Sequence, residues 1–213
     1  MITLFHNRSG SYISLGGVYE VKNKSTTIKE ITAKVIRQSD NETLSLIWST
    51  FPSPICRRVA GNFETSFETA HPFKVEADTL APAFVEFVDK CANMDEVSNN
   101  ILYPVVCATM PIFSQPNATL PIVDGAVRAL PEYALAKIAL NDHFFWKADE
   151  YEMVITTIHS KGTFDKKYVF SLSDAESLRL RNNIDSVLIS HVANHFGIPV
   201  QMNTVTKDFK EKK

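Results

Sequence analysis

The sequence predicts a mainly β protein, a β-sandwich with a helical insertion and a long C-terminal helix. Three observations carry that expectation. Runs of period-two alternation fill the first ninety residues, polar turn clusters separate them at short intervals, and a capped helix stands near the end.

The strands can be justified in order. Gly16-Gly17 lies inside a strand-like stretch and suggests a bulge or bend. Thr27 to Arg37 is rich in β-branched residues, with Ile31, Ala33 and Val35 as an inner row. Leu44, Leu46 and Trp48 alternate with polar residues and form a second core row. Phe63, Thr65, Phe67 and Thr69 oppose Glu64, Ser66 and Glu68, the pattern of a half-buried strand. The clusters Asn23-Lys-Ser25 and Ser39-Asp-Asn-Glu42 supply turns. Ala83 to Asp89 fits a strand better than a helix because it follows Leu80-Ala-Pro82.

From about Asn93 to Leu130 the pattern weakens. Pro104, Pro111, Pro116 and Pro121 interrupt it, so extended loops over a sheet edge are expected, with some short element among them. A helix follows from Pro131 to about Leu140, with Leu135, Ile138 and Ala139 as its apolar stripe. Asp142 then ends that helix in a turn, and Phe144-Phe-Trp146 starts a strand. Strands at Glu150 to His159 and Lys167 to Leu172 make a hairpin about Ser160-Lys-Gly162. Ser173-Asp-Ala-Glu176 is a capping box, and Gly197 and Pro199 are stop signals, so one helix is expected from Asp174 to Phe196. Residues 1–205 are therefore read as a single globular domain: strands over 1–89, a loop-rich and helical insertion over 90–142, a hairpin over 143–172 and a helix over 173–197. Residues 206–213 are read as a solvated tail.

The stretch Glu20-Val-Lys-Asn-Lys-Ser-Thr-Thr-Ile28-Lys-Glu-Ile31 resembles a pattern of immunoglobulin-like β-sandwich domains in uncharacterised bacterial proteins. There a strand ends in a polar Asn-x-Ser turn and the next begins Thr-Ile-x-x-Ile. The resemblance covers residues 1–89 and implies a fold, with no catalytic motif, because function resides in sites rather than folds.

Composition narrows the function. Among 213 residues, 22 Lys+Arg face 24 Asp+Glu, a formal net charge of −2. With no dense basic block, nucleic acid is not an expected partner. No apolar run reaches the ~18 residues of a membrane span, and Met1-Ile-Thr-Leu-Phe-His lacks the features of a secretory signal. A cytoplasmic protein is expected, or alternatively a soluble domain of a membrane-anchored one. Glycine-rich phosphate loops and the G-x-S-x-G elbow are absent from the sequence.

Three clusters could carry chemistry. His191 and His195 stand four apart on the last helix, a spacing that puts both imidazoles on one face as a metal site requires. They share it with Leu180, Ile184, Val187 and Leu188, which favours histidines at a core margin; a third ligand would come from Asp142 or His143. Asp142-His143 pairs a carboxylate with an imidazole, but sequence neighbours rarely face each other usefully. Cys56 precedes Arg57 and Arg58, cations that lower a thiol's pKa. The three cysteines, Cys56, Cys91 and Cys107, are odd in number, far apart and without a CxxC pair, so neither a zinc ribbon nor a disulfide framework is indicated.

These readings favour a non-catalytic protein-interaction or accessory module that recognises a protein partner without cofactor or metal. Leu178, Ile189 and Phe196 form a second apolar line opposite the main helical stripe, and the last helix is therefore expected either to be buried on two sides or to use this line as a docking line. The alternatives are a metal-dependent hydrolase built on His191 and His195, and a structural or assembly subunit.

Overall fold

A computed structural model describes residues 1–7, 10–59, 62–90, 97–115 and 118–212, with side chains described at all of these except 51–59, 62–67 and 98. It is mainly antiparallel β, with the helices gathered in a separate layer.

Strand β1 spans Ile2–Asn7, β2 Gly10–Glu20, β3 Thr26–Arg37, β4 Thr43–Val59, β5 Asn62–Thr69, β6 Phe73–Val75 and β7 Leu80–Asp89. Later in the chain come β8 (Asp149–His159), β9 (Gly162–Leu172), β10 (Val205–Lys207) and β11 (Lys210–Glu211). All pairings are antiparallel, in the order β10-β1-β2-β7-β4-β3-β8-β9-β11, with β5 added to β4 and β6 to β3. Where a sandwich has two sheets stacked face to face, the described strands join in one. That sheet curls into a half-barrel, so that Tyr19 on β2 reaches Thr157 on β8 across its concave side.

The expected inner rows are present. Ile31, Ala33 and Val35 are buried, as are Leu44, Leu46 and Trp48. A register shift between Ile28 and Glu30 turns β3 over once: Thr26 and Ile28 face inward before it and Ile31 onward after it. The strand expected at 63–69 forms as β5; the faces of Phe63 and Phe67 lie outside the described side chains. Gly16 and Gly17 differ from expectation, because they pair in unbroken register with Phe84 and Ala83 and make no bulge.

The stretch 93–130, expected as loops with some short element among them, is mostly helical where it is described. A π-helical turn at Val97–Leu102 leads into α1 (Tyr103–Phe113), and α2 covers Leu120–Arg128. Pro104 is the second residue of α1, directly after the π-helical turn, and Pro121 sits in the first turn of α2 after the extended Thr119, where a backbone N–H has no intrahelical partner to lose. Pro131 does the same for α3 (Pro131–Asp142). The stripe expected on α3 is reversed: Tyr133, Ala136 and Leu140 are buried, and Leu135 and Ile138 face out.

Phe144, Phe145 and Trp146 are buried, but in an irregular segment rather than a strand. Its carbonyls are met by side chains. Arg37 Nη1 donates to Phe145 O at 2.6 Å, Ser177 Oγ to Trp146 O at 2.7 Å, and Tyr151 OH to Lys147 O at 2.6 Å. A buried loop is stable only when its backbone groups are satisfied in this way.

The last helix carries its capping box but is interrupted. It runs as α4 (Asp174–Arg181) and α5 (Asn183–His195), joined at Asn182. Beside the joint, the fully buried Asn183 donates from Nδ2 to the carbonyls of His6 and Asn203 and accepts from Asn203 N. The tail expected to be solvated from 206 onward instead forms β10 against β1 and β11 against β9. Among the described residues, no helix is long and apolar enough to cross a membrane.

Candidate functional site

The half-barrel is filled differently at its two ends, and the site follows from that. Toward one end its inner residues are large, and the helices and the Phe144–Trp146 segment close over them. Toward the other end, the inner row of β2 reads Ile13, Leu15, Gly17, Tyr19, and that of β7 reads Phe87, Val85, Ala83, Ala81. Gly17 pairs with Ala83, so two small residues stand side by side on one face. A Cβ built on Gly17 meets no atom within 4 Å. The missing side-chain volume appears as a cavity of about 320 Å³.

The cavity walls are aliphatic and aromatic: Leu15, Val85 and Phe87 on one side, Ile31 and Ile155 on the other. Phe164 closes its rim with its ring centroid 6.4 Å from that of Tyr19. Polar atoms enter at defined points. Tyr19 OH and Thr157 Oγ1 share a hydrogen bond of 3.2 Å across the concavity. Thr157 is fully buried, and burial pushes the Tyr19 phenol above its usual range. Lys166 and Tyr168 follow Phe164 on the inward face of β9. Glu211 from β11 bonds Lys166, raising its ammonium pKa, and so already balances that charge. Phe209 packs edge-on against Tyr168 at 4.5 Å. An apolar concavity with a few placed polar groups, open to solvent along Gly17 at the mouth of a curled sheet, is a common form of small-molecule site.

The residues singled out in the sequence lie elsewhere. His191 Nε2 is 3.0 Å from Thr109 Oγ1 on α1, and burial lowers its pKa. His195 is exposed and stacks on Phe113 at 4.0 Å. Among the described residues no three His, Cys, Asp or Glu side chains gather as a metal site would need. Asp142 and His143 are exposed at the end of α3. The Cys56 side chain and all of Cys91 lie outside the described residues, and Cys107 is exposed on α1. Of the expected docking line only Leu178 is well exposed; Ile189 and Phe196 pack partly against the core. Sequence reasoning missed the cavity because its signal, a glycine in an inner row, reads equally as a bulge.

No protein family, curated protein or solved structure matches this chain.

Proposed function

We propose that this chain is a non-catalytic binding protein that holds a small apolar molecule in the concave cavity. The observation that supports it most is the pairing of Gly17 with Ala83 inside the half-barrel, which leaves about 320 Å³ unfilled between apolar walls. That volume lies at the lower end of ligand pockets, roughly 300–1,000 Å³, and suits a small or slender ligand. A ligand bound only by the folded state raises the melting temperature. Saturating phenylnaphthylamine, a neutral apolar probe, is expected to raise it in the native protein and to leave it unchanged in Gly17→Leu. A rise of equal size in both would refute the reading.

A second reading keeps the expected protein partner and has its own support. Helix α1 carries no charged residue, yet Tyr103 and Met110 on it are exposed, as are Leu135 and Ile138 on the adjoining α3. A second copy of this chain is the partner that suits an uncharged face, since such a patch complements itself about a two-fold axis. On this reading, sedimentation shows a dimer that Met110→Glu with Leu135→Glu dissociates; a monomer at all concentrations rules it out.

A further inference from the structure

A second cavity, also about 320 Å³, adjoins the first and shares Tyr19, Glu20 and Phe164 with it. Its chemistry differs. Thr26, His159, Lys22 and Lys161 line it, around a hydrogen-bonded floor in which Thr26 Oγ1 meets Ser160 Oγ at 3.0 Å and His159 Nδ1 at 3.3 Å. Among the described residues neither Lys22 nor Lys161 pairs with a carboxylate; Lys161 Nζ donates to the Lys24 carbonyl at 3.1 Å.

The charges decide what the two lobes can hold together. Lys166 in the apolar lobe is already met by Glu211. Among the described residues Glu20, at the junction, is the one carboxylate lining either lobe, and the two lysines of the second lobe outnumber it. An apolar lobe beside a lobe with surplus positive charge complements a molecule that is itself divided. We infer that the site takes a single-chain amphiphile with an anionic head: its tail lies against Gly17 and Ala83, and its head sits between Lys22 and Lys161. Phe164, at the shared wall, is 40% exposed and packs against the rings of Tyr19 and His159, so it is the side chain that a molecule spanning both lobes passes. This inference rests on the apolar lobe being a binding site, and its test separates the two claims.

Phenylnaphthylamine fluorescence reports the apolar lobe, and decanoate and decanol compete for it with the same chain but different heads. In the native protein decanoate displaces the probe at lower concentration than decanol. Lys22→Gln with Lys161→Gln weakens decanoate about fivefold, the effect of two exposed charge contacts, and leaves decanol unchanged. Added salt weakens decanoate alone. Lys147→Gln, at an exposed lysine of the helical end that lines neither lobe, changes neither competitor. Gly17→Leu removes probe binding while the far-ultraviolet circular dichroism stays native; Gly17→Val, with a smaller side chain, serves if the leucine variant does not fold. Probe binding that survives in the folded Gly17 variant overturns the cavity reading and this inference together. Probe binding lost in that variant, with the double lysine change affecting both competitors alike or neither, overturns the head assignment alone. So does an equal loss of decanoate affinity in Lys147→Gln.

Discussion

One curled sheet has two unlike ends. At the helical end, β3, β8 and β9 contribute Val35, Tyr151, Met153 and Phe170 inward, and Trp146 lies over them fully buried, its Nε1 donating to Phe5 O at 2.8 Å. At the other end the same strands contribute Ile31, Thr157 and Phe164, with Gly17 and Ala83 opposite, and space remains. Backbone pairing is continuous from one end of β2 and β7 to the other, so the contrast comes from side-chain size and from the helices and the Phe144–Trp146 segment that cover one end only. Interiors are otherwise close-packed, which makes an unfilled concavity within a well-ordered ladder a feature to test.

The largest effects should come from the filled end. Trp146→Ala removes a buried indole from a cluster with Phe145, Tyr151 and Phe170, and leaves Phe5 O without its donor. A loss of about 3–5 kcal/mol is expected by denaturant titration. A much smaller loss would mean that this end is as loosely packed as the other.

Next in size is a pH effect at His6, which is buried beneath the helical layer. Its ring stands edge-on to Phe144 at 5.0 Å, and Nδ1 has no hydrogen-bond partner among the described residues. Burial lowers its pKa from 6.5 to about 4. The unfolded chain therefore takes up a proton near pH 6.5 and the folded one only near 4. Stability is full above 6.5 and falls as pH drops from 6.5 through 4, by roughly 3 kcal/mol across that window. Denaturation midpoints at pH 7 and pH 4.5 measure the fall, and His6→Leu should flatten it. An unchanged slope in that variant would locate the acid response elsewhere.

The sequence shows the filled end far better than the open one, for physical reasons. Burial on one face forces period-two alternation, so the row of Leu44 to Trp48 and the row of Ile31 to Val35, whose Ile31 end also lines the cavity, are legible in the residue order alone. The capping box at Ser173 and Glu176 is equally local, since both partners lie within four residues. Other features depend on distant partners. The interruption at Asn182 is set beside a buried amide whose partners, His6 and Asn203, come from elsewhere in the chain. Prolines at 104 and 121 break strands and open helices with equal ease, and only the surrounding packing chooses between the two. The cavity requires Gly17 to lie beside Ala83, 66 residues on by their numbering, and β9 to curl over both. No period encodes that arrangement.

A smaller effect, of opposite sign, marks the open end. Gly17 lies within β2 at a negative or extended φ, with nothing near its Cβ direction. Gly17→Val should therefore stabilise the fold by up to about 1 kcal/mol, through lower unfolded-state entropy and better strand propensity. Its neighbour provides the contrast. A Cβ on Gly16 would stand 3.0 Å from Phe84 Cε1 on the outer face, so Gly16→Val has to displace that ring and gains less. Thermal denaturation of the two variants side by side tests whether the space at Gly17 is truly open; destabilisation by Gly17→Val would show it to be filled.

The smallest effects are expected on the outside of the helical layer, and they show how far the filled end extends. Leu140 on α3 is buried, while Leu135 and Ile138 on the same helix are 68% and 60% exposed. A side chain that has left little area out of water on folding has little to lose when it is changed. Leu135→Lys and Ile138→Lys should each shift stability by no more than about 0.5 kcal/mol, because lysine is as good a helix former as leucine. Leu140→Ala on the inner face should cost about 2–5 kcal/mol. If Leu135→Lys instead costs more than 1 kcal/mol in dilute solution and the cost grows with protein concentration, the outer face is covered by a second copy. Packing of the helical layer would then continue across an interface, while the cavity end stays open.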